Sequence, residues 1–168
     1  EESSDLDETV ITALLQSETR PRCAAYEDGL LLNLRGINHN PGAEPEDMIS
    51  VRIWATQNMV ITMRSYPVKA VHEVREEVAS GMLENPSPGG LLVMIAERLI
   101  DKIEPVVDQL KDEADEFEET LLSSREKLPA TALAEFRRTI LFLRRYILPQ
   151  REAMAQLQRE GRLLFDQD

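Results

Sequence analysis

Between Leu92 and Leu121, apolar residues recur at Leu92, Ile95, Leu99, Ile103, Val106, Leu110, Ala114, Phe117 and Leu121, always three or four residues apart. That spacing draws one narrow apolar seam along a helix, the mark of coiled-coil-like packing and not of a broad core face. A helix over 91–122 is about 48 Å long at about 1.5 Å per residue, more than the width of a small domain, so it is expected to project. After the stretch SSREKLPAT a second seam begins at Leu133, Phe136, Ile140, Leu143 and Ile147, and resumes at Met154 and Leu157. Two helices joined by a short loop fold back as an antiparallel hairpin. Pro105 and Pro149 lie inside these helices, where each removes a backbone hydrogen bond, so the expected helices are shaped and not straight rods.

The charges favour the same pairing. Residues 97–119 carry 3 basic and 10 acidic side chains, net −7, and residues 125–162 carry 9 basic and 4 acidic, net +5. Folding back is expected to bring the Asp108–Glu119 run near Arg137, Arg138, Arg144 and Arg145. Exposed pairs contribute only about 0–1 kcal/mol each, so their expected role is to specify the antiparallel partner while the apolar seam supplies stability.

The first half has a different period. SSDLDETVITALLQSETRP reads as a short helix with Asp5 as cap, Glu8 three residues on, Leu6, Val10, Ala13 and Leu14 on one face, and Pro21 as its end. RCAAYEDGLLLNLRG reads as two strands around the turn Glu27-Asp28-Gly29, an Asp-Gly signal for a hairpin. MISVRIWATQNMVITMRSY reads as a second hairpin, with Ile49, Val51 and Ile53 alternating with Ser50, Arg52 and Trp54 and a turn near Thr56-Gln57-Asn58. PVKAVHEVREEVASG is a helix with Pro67 in its first turn, a stripe of Val68, Val71, Val74, Val78 and Met82, and Gly81 as its stop. ENPSPGG, 84–90, reads as a linker. The expected fold is therefore α/β: a small mixed or antiparallel sheet with flanking helices over 1–90, and a long antiparallel helical hairpin over 91–168.

Composition narrows the partners. The formal net charge of −12 argues against nucleic acid, which needs a basic surface to meet phosphate. The single cysteine, Cys23, rules out a disulfide framework and a Cys-based zinc site, and is expected as a buried strand residue. No run of about 18 apolar residues is present to span a bilayer. The chain starts at Glu1 without Met and stops abruptly in LLFDQD, so it is expected to be cut from something longer.

Few residues make a case for chemistry. His72 and Glu76 sit at i, i+4, as in a helical zinc motif with Glu73 as base, but only His39 is left as a further imidazole; a solvated helix face is the ordinary alternative. The run DQLKDEADEFEE offers Asp108, Asp112, Glu113, Asp115 and Glu116 for weak attraction of divalent cations, against the plainer reading of a solvated face, because a helix splays its carboxylates. In the loop after Gly36, Asn38, Asn40, Pro41 and Gly42 are turn formers, His39 alone is no metal site, and Glu44, Glu46 and Asp47 are expected as solvated acids, with cation binding or contact to a neighbouring subunit as alternatives. No nucleophile–base arrangement can be assembled.

Taken in order, ETRPRC, LLLNLRGINHNPGAEPEDMISVRIW, VITMRSYPVKAVHEVREEV, ERLIDKIEPVVDQLKDEADEFEETLL and FRRTILFLRRYILPQREAMAQL resemble the cytoplasmic domain of the CorA superfamily of divalent-cation channels and transporters, its zinc-transporting ZntB branch most of all. The resemblance covers nearly the whole chain and rests on the sum of these pieces. It implies an α/β domain carrying a helical hairpin, then a stalk and two membrane helices beyond the residues here, five subunits forming a funnel, and Zn²⁺ or another divalent cation as the transported ion with no cofactor required. It also implies that the first strands of the family's domain would lie upstream of Glu1. The family's pore tripeptide is Gly-Met-Asn or Gly-Val-Asn after the first membrane helix. Gly36-Ile37-Asn38 imitates it but follows a short strand, and is read as a loop coincidence.

The expectation is a non-enzymatic domain on the cytoplasmic face of the plasma membrane, part of a homo-oligomeric zinc transporter, serving assembly, cation attraction and regulation. Two rival classes are a soluble adaptor whose hairpin binds a partner coiled coil, and a metal hydrolase using His72 and Glu76.

Overall fold

The computed structural model describes residues 6–16, 20–44, 46–82, 86–123 and 129–165. Four strands, β1 (Arg22–Tyr26), β2 (Gly29–Gly36), β3 (Ile49–Ala55) and β4 (Val60–Arg64), form one antiparallel sheet in the order β1-β2-β3-β4. Cys23 lies opposite Leu32 and Ala55 opposite Val60, so both hairpins form where their turn residues predict.

Both faces of this sheet are covered. Leu30, Leu32, Leu34, Val51 and Ile53 point into the main core, which is closed by α2 (Lys69–Ala79), α3 (Pro88–Asp101) and the later part of α5 (Ala130–Phe165) through Val71, Val74, Leu92, Ile95, Leu99 and Ala153. The opposite face, with Leu31 and Trp54, is covered by Val10, Ala13 and Leu14 of α1 (Glu8–Leu15). All seven residues of β3 are thereby buried. Arg52 is among them. Its Nη1 donates to the Gln16 carbonyl at the end of α1, and its Nη2 lies 3.5 Å from Ser65 Oγ.

Several local expectations change. The cap of α1 is Asp7, whose carboxylate accepts the Thr9 N–H at 2.7 Å; Asp5 lies outside the described residues. Hydrogen bonding with the Thr9 side chain, and next with its backbone N–H, holds the Asp7 carboxyl below its ordinary value. Helix α2 starts at Lys69, with Pro67 just ahead of the cap Val68. Its apolar stripe is buried through Val74 only; Val78 and Met82 are exposed, Met82 the more so. Gly81 ends the helix region with a φ of +72°, which only glycine adopts without strain.

Within the stretch read as a linker, Ser87-Pro88-Gly89-Gly90 supplies the start of α3. The Ser87 hydroxyl caps the helix by accepting the Gly90 N–H at 3.1 Å, and Pro88 sits in the first turn, where its missing N–H costs nothing.

The single helix expected over 91–122 is two helices, α3 and α4 (Glu104–Ser123), broken at Lys102 and Ile103. Pro105 is the cause. It has no N–H to give the Asp101 carbonyl, and its ring would collide with that carbonyl in a continuous helix. As the second residue of α4 it is tolerated. Pro149 stays inside α5, which continues through it.

Candidate functional site

α4 and α5 lie antiparallel and meet along the inner part of the two predicted seams, while Leu121 and Leu133 at their far ends are exposed. Phe117 meets Phe136 edge to face, with ring centroids 5.2 Å apart at 89°. Nearer the sheet, Leu143 is buried with Ile37 and Met48, and Ile103, Val106, Leu110, Tyr146 and Ile147 pack around them. Between these levels runs an open apolar groove of about 450 Å³, lined by Val107, Leu110, Ala114, Phe136, Ile140 and Ile147. No residue of α4 is fully buried.

The loop 37–48 holds this hairpin to the sheet. Ile37 and Met48 supply its apolar end. Arg35, at the end of β2, donates from Nη1 to the Met48 carbonyl at 2.7 Å and lays its guanidinium 4.4 Å from the centre of the Tyr146 ring. Glu46, read as a solvated acid, accepts the Thr139 hydroxyl of α5 at 3.0 Å. Glu44 and Asp47 are exposed. Asn38 accepts from both the backbone and the side chain of Asn40, at 3.1 and 2.8 Å, and Asn40 also donates to the Pro67 carbonyl.

Gly36-Ile37-Asn38 therefore has three structural tasks. A Cβ on Gly36 would stand 2.7 Å from Leu99 Cδ2, so glycine lets α3 approach the strand. Ile37 fills the hairpin base and Asn38 shapes the loop. The tripeptide is a docking element and not a pore, as its place after a strand predicted.

The acidic face of α4 is laid out along the helix. Asp108, Asp112, Asp115 and Glu116 are exposed and Glu113 is half-buried. Asp108 Oδ1 meets Lys111 Nζ at 2.7 Å, which raises the Lys111 ammonium above its ordinary value. Among the described residues, no three His, Cys, Asp or Glu side chains come together as a metal site. The expected ion pairing with α5 does not form: among the described residues no carboxylate of α4 pairs with Arg137, Arg138, Arg144 or Arg145. Arg138 and Arg145 instead lie over the rings of Phe142 and Tyr146. The physical reason is that the seam turns the apolar sides of the two helices together, which leaves the acids of α4 on its outer side, while Lys111 and Arg144 border the groove between the helices.

His72 Nε2 lies 3.3 Å from Glu76 Oε1, with both side chains exposed. Glu73 is committed elsewhere: its carboxylate meets Lys102 Nζ at 2.7 Å, and that contact holds its carboxyl below the ordinary value. His39 is held below its ordinary value by partial burial and by Lys69 and Lys102. A second bridge, Glu77 to Arg98 at 2.9 Å, also ties α2 to α3. Cys23 is buried, and burial, helped by Glu160, pushes its thiol up to about 11. No helix among the described residues is long and apolar enough to cross a membrane.

A sheet closed by α3 and α5, with a hairpin whose acids face outward, matches known proteins over nearly its whole length. The family model for the CorA-like Mg2+ transporter protein matches residues 1–168. The chain belongs to the CorA family. It is 36% identical over 170 residues to the divalent cation transporter CmaX of Pseudomonas aeruginosa, covering 99% of this chain and 51% of that protein. It is 33% identical to the zinc transport protein ZntB of Pectobacterium atrosepticum, covering 91% of this chain and 46% of that one. The solved cytoplasmic domain of ZntB from Vibrio parahaemolyticus superposes with a TM-score of 0.79 at 29% identity, over 94% of this chain and 62% of that one. The chain thus spans about half the length of the curated relatives it matches. Within the CorA family it is similar to ZntB and to the ZntB cytoplasmic domain, the resemblance that the quoted segments carry.

The residues that sequence reasoning missed are Arg35, Thr139 and Gln150, which join loop, sheet and hairpin. Each is a polar residue in a segment read for its apolar pattern, and none carries a local signal of its distant partner.

Proposed function

We propose that this chain is the cytoplasmic domain of a membrane transporter of divalent cations, with Zn²⁺ as the ion carried, and that it performs no bond chemistry. The observation that carries this reading is the match to a divalent cation transporter over 99% of the chain at 36% identity. In the proposal, the domain lies at the cytoplasmic face of the plasma membrane and assembles with copies of itself as a pentamer. The reading frame then continues beyond Asp168 into a stalk and two apolar spans.

The acidic side of α4 then acts electrostatically. Asp108, Asp112, Glu113, Asp115 and Glu116 raise the local concentration of divalent cations near the funnel without binding any one ion tightly. Cation occupancy regulates the domain to the extent that two conformations bind the ion differently. The test is zinc uptake into vesicles carrying the full-length protein, with Asp112, Glu113, Asp115 and Glu116 all changed to Lys. The expected result is weaker uptake at low zinc that recovers at high zinc. Uptake unchanged at all zinc concentrations removes the attraction role, and no zinc flux in the unaltered protein removes zinc as cargo.

A further inference from the structure

Trp54 keeps one polar atom unmet. The residue is 3% exposed, and its indole Nε1 is a buried donor with no acceptor among the described residues. Such an atom is uncommon enough in a native structure to call for a reason. A Cβ on Gly29 would stand 2.9 Å from Trp54 Cζ2 and 3.0 Å from Cη2. Cζ2 and Nε1 are bonded to the same ring carbon, so the N–H edge of the indole lies on the side of the Glu27-Asp28-Gly29 turn. That turn borders a cavity of about 310 Å³, lined by Trp54, Tyr26, Met59, Asp7, Glu27 and Asp28.

The lining is aromatic, apolar and acidic. Tyr26 meets Trp54 edge to face, with ring centroids 5.7 Å apart at 75°. Tyr26 and Met59 are both exposed, so this wall is open to a ligand. Asp7, Glu27 and Asp28 are exposed at the same cavity, and among the described residues no basic side chain lines it. A hard divalent cation needs several convergent oxygens. These carboxylates do not supply them: Asp7 accepts the Thr9 N–H, and among the described residues no three acids or imidazoles come together. An alkylammonium ion asks for less. It is drawn to aromatic rings and to the negative potential of nearby carboxylates without direct coordination.

We propose that this cavity binds a small organic cation, an alkylammonium ion with a hydroxyl or ether oxygen close to its nitrogen, for which choline is the simplest probe. The cation rests against Tyr26 in the field of Asp7, Glu27 and Asp28, and its oxygen accepts the Trp54 N–H. The indole is a donor only and an ammonium ion offers no lone pair, so that oxygen is needed. The side chains of Glu27 and Met59 are exposed and turn aside to admit it. The space suffices, since pockets for small molecules begin at about 300 Å³. The site lies on the sheet face covered by α1, opposite the face closed by α3 and α5. It is therefore separate from the acids of α4, and it stands or falls independently of the proposed transport.

The test is NMR on the isotope-labelled chain, in which Trp54 is the single tryptophan and gives one indole N–H signal. Choline is expected to move that signal downfield along a saturating curve, and potassium or magnesium chloride at equal ionic strength to leave it in place. Neopentyl carbinol, the neutral carbon isostere of choline, is expected to bind at least about tenfold more weakly, and Tyr26→Leu to weaken choline at least about fivefold. Glu27→Gln with Asp28→Asn keeps a turn former beside Gly29 and is expected to weaken choline about threefold at low salt and less at high salt. Circular dichroism checks that both variants fold. Tetramethylammonium, which has no hydroxyl, is expected to bind without the downfield shift. No saturable shift with choline overturns the proposal. So does equal binding of the neutral isostere, which would make the cavity merely apolar, or an equal response to magnesium, which would give the carboxylates to a metal. A shift with tetramethylammonium as large as with choline overturns the role of Nε1. A response to phosphatidylcholine vesicles with none to free choline assigns the ammonium group to a membrane lipid and overturns the free ligand.

Discussion

The side-chain amide of Gln150 grips the backbone of Arg35 at both ends, accepting its N–H at 2.6 Å and donating to its carbonyl at 3.0 Å. β1 pairs with β2 only as far as Arg22 opposite Asn33, so Arg35 has outrun its neighbouring strand. Gln150, buried in α5 one residue after Pro149, takes the place of a strand partner opposite Arg35, two positions beyond the last β1 pair. It thereby turns a helix into the last rung of a sheet and fixes the hairpin to the core.

Replacing Gln150 with Ala leaves a donor and an acceptor of Arg35 without partners, in a place that water does not reach freely. The expected loss is about 2–4 kcal/mol, since an unmet buried polar group costs about 1–3 kcal/mol. Urea unfolding measures it. Gln150→Glu is expected to be no better than Ala, because it keeps the acceptor but sets a carboxylate against the Arg35 carbonyl.

Gly36→Ala is expected to destabilise the domain by about 1–3 kcal/mol, the usual cost of forcing a methyl group into a packed core. The added carbon would sit 2.7 Å from Leu99 Cδ2, the tip of a side chain that is 1% exposed and must shift within the core to admit it. Shortening the neighbour by Leu99→Val is expected to restore part of the loss in the double variant. A double-mutant cycle by thermal unfolding reads the coupling, and strict additivity would show that the contact does not matter.

The thiol of Cys23 is expected to resist alkylation by iodoacetamide at neutral pH, because it is buried and its pKa is raised from 9.0 to about 11. Labelling is expected to follow global unfolding in a urea series. A raised value means that the folded state prefers the protonated thiol. This contribution to stability is whole below pH 9 and is lost as pH climbs from 9 towards 11. Cys23→Ala removes that part of the alkaline fall.

Glu73 has the opposite sign. Its contact with Lys102 lowers its carboxyl below 4.5, so its contribution is whole above that pH and is lost as acid protonates it in the folded state. Glu73→Gln is expected to flatten the acid limb of a stability–pH curve below pH 4.5 and to cost less than about 1 kcal/mol at pH 7, since the pair is partly exposed. An unchanged acid limb would mean that the bridge does not hold in solution.

The elements themselves were legible because their signals are local. Alternation marks Ile49, Val51 and Ile53 as one face of a strand. Asp28-Gly29 marks the hairpin turn, and the steps from Leu92 to Leu121 mark a seam that survives even the break before Pro105. That break was half-legible: proline announces a distortion, but where the helix parts depends on which carbonyl loses its bond and which side chains repack. Ser87 was a legible cap in hindsight, hidden by the Pro and Gly around it.

Amino-acid order alone determined the four strands, the helix of residues 69–79 and the two seams of the hairpin, since each rests on the spacing of neighbours a few residues apart, while the family followed from the resemblance of whole segments. Tertiary structure alone decided that α1 covers the second face of the sheet and buries Arg52, and that Gln150 reaches Arg35 across 115 positions of sequence. It also decided that, among the described residues, the acids of α4 form no ion pair with the arginines of α5. A charge run has a sign but no direction until packing chooses which side of the helix turns inward. Here the apolar seam, gaining more from burial than exposed ion pairs gain from contact, makes that choice.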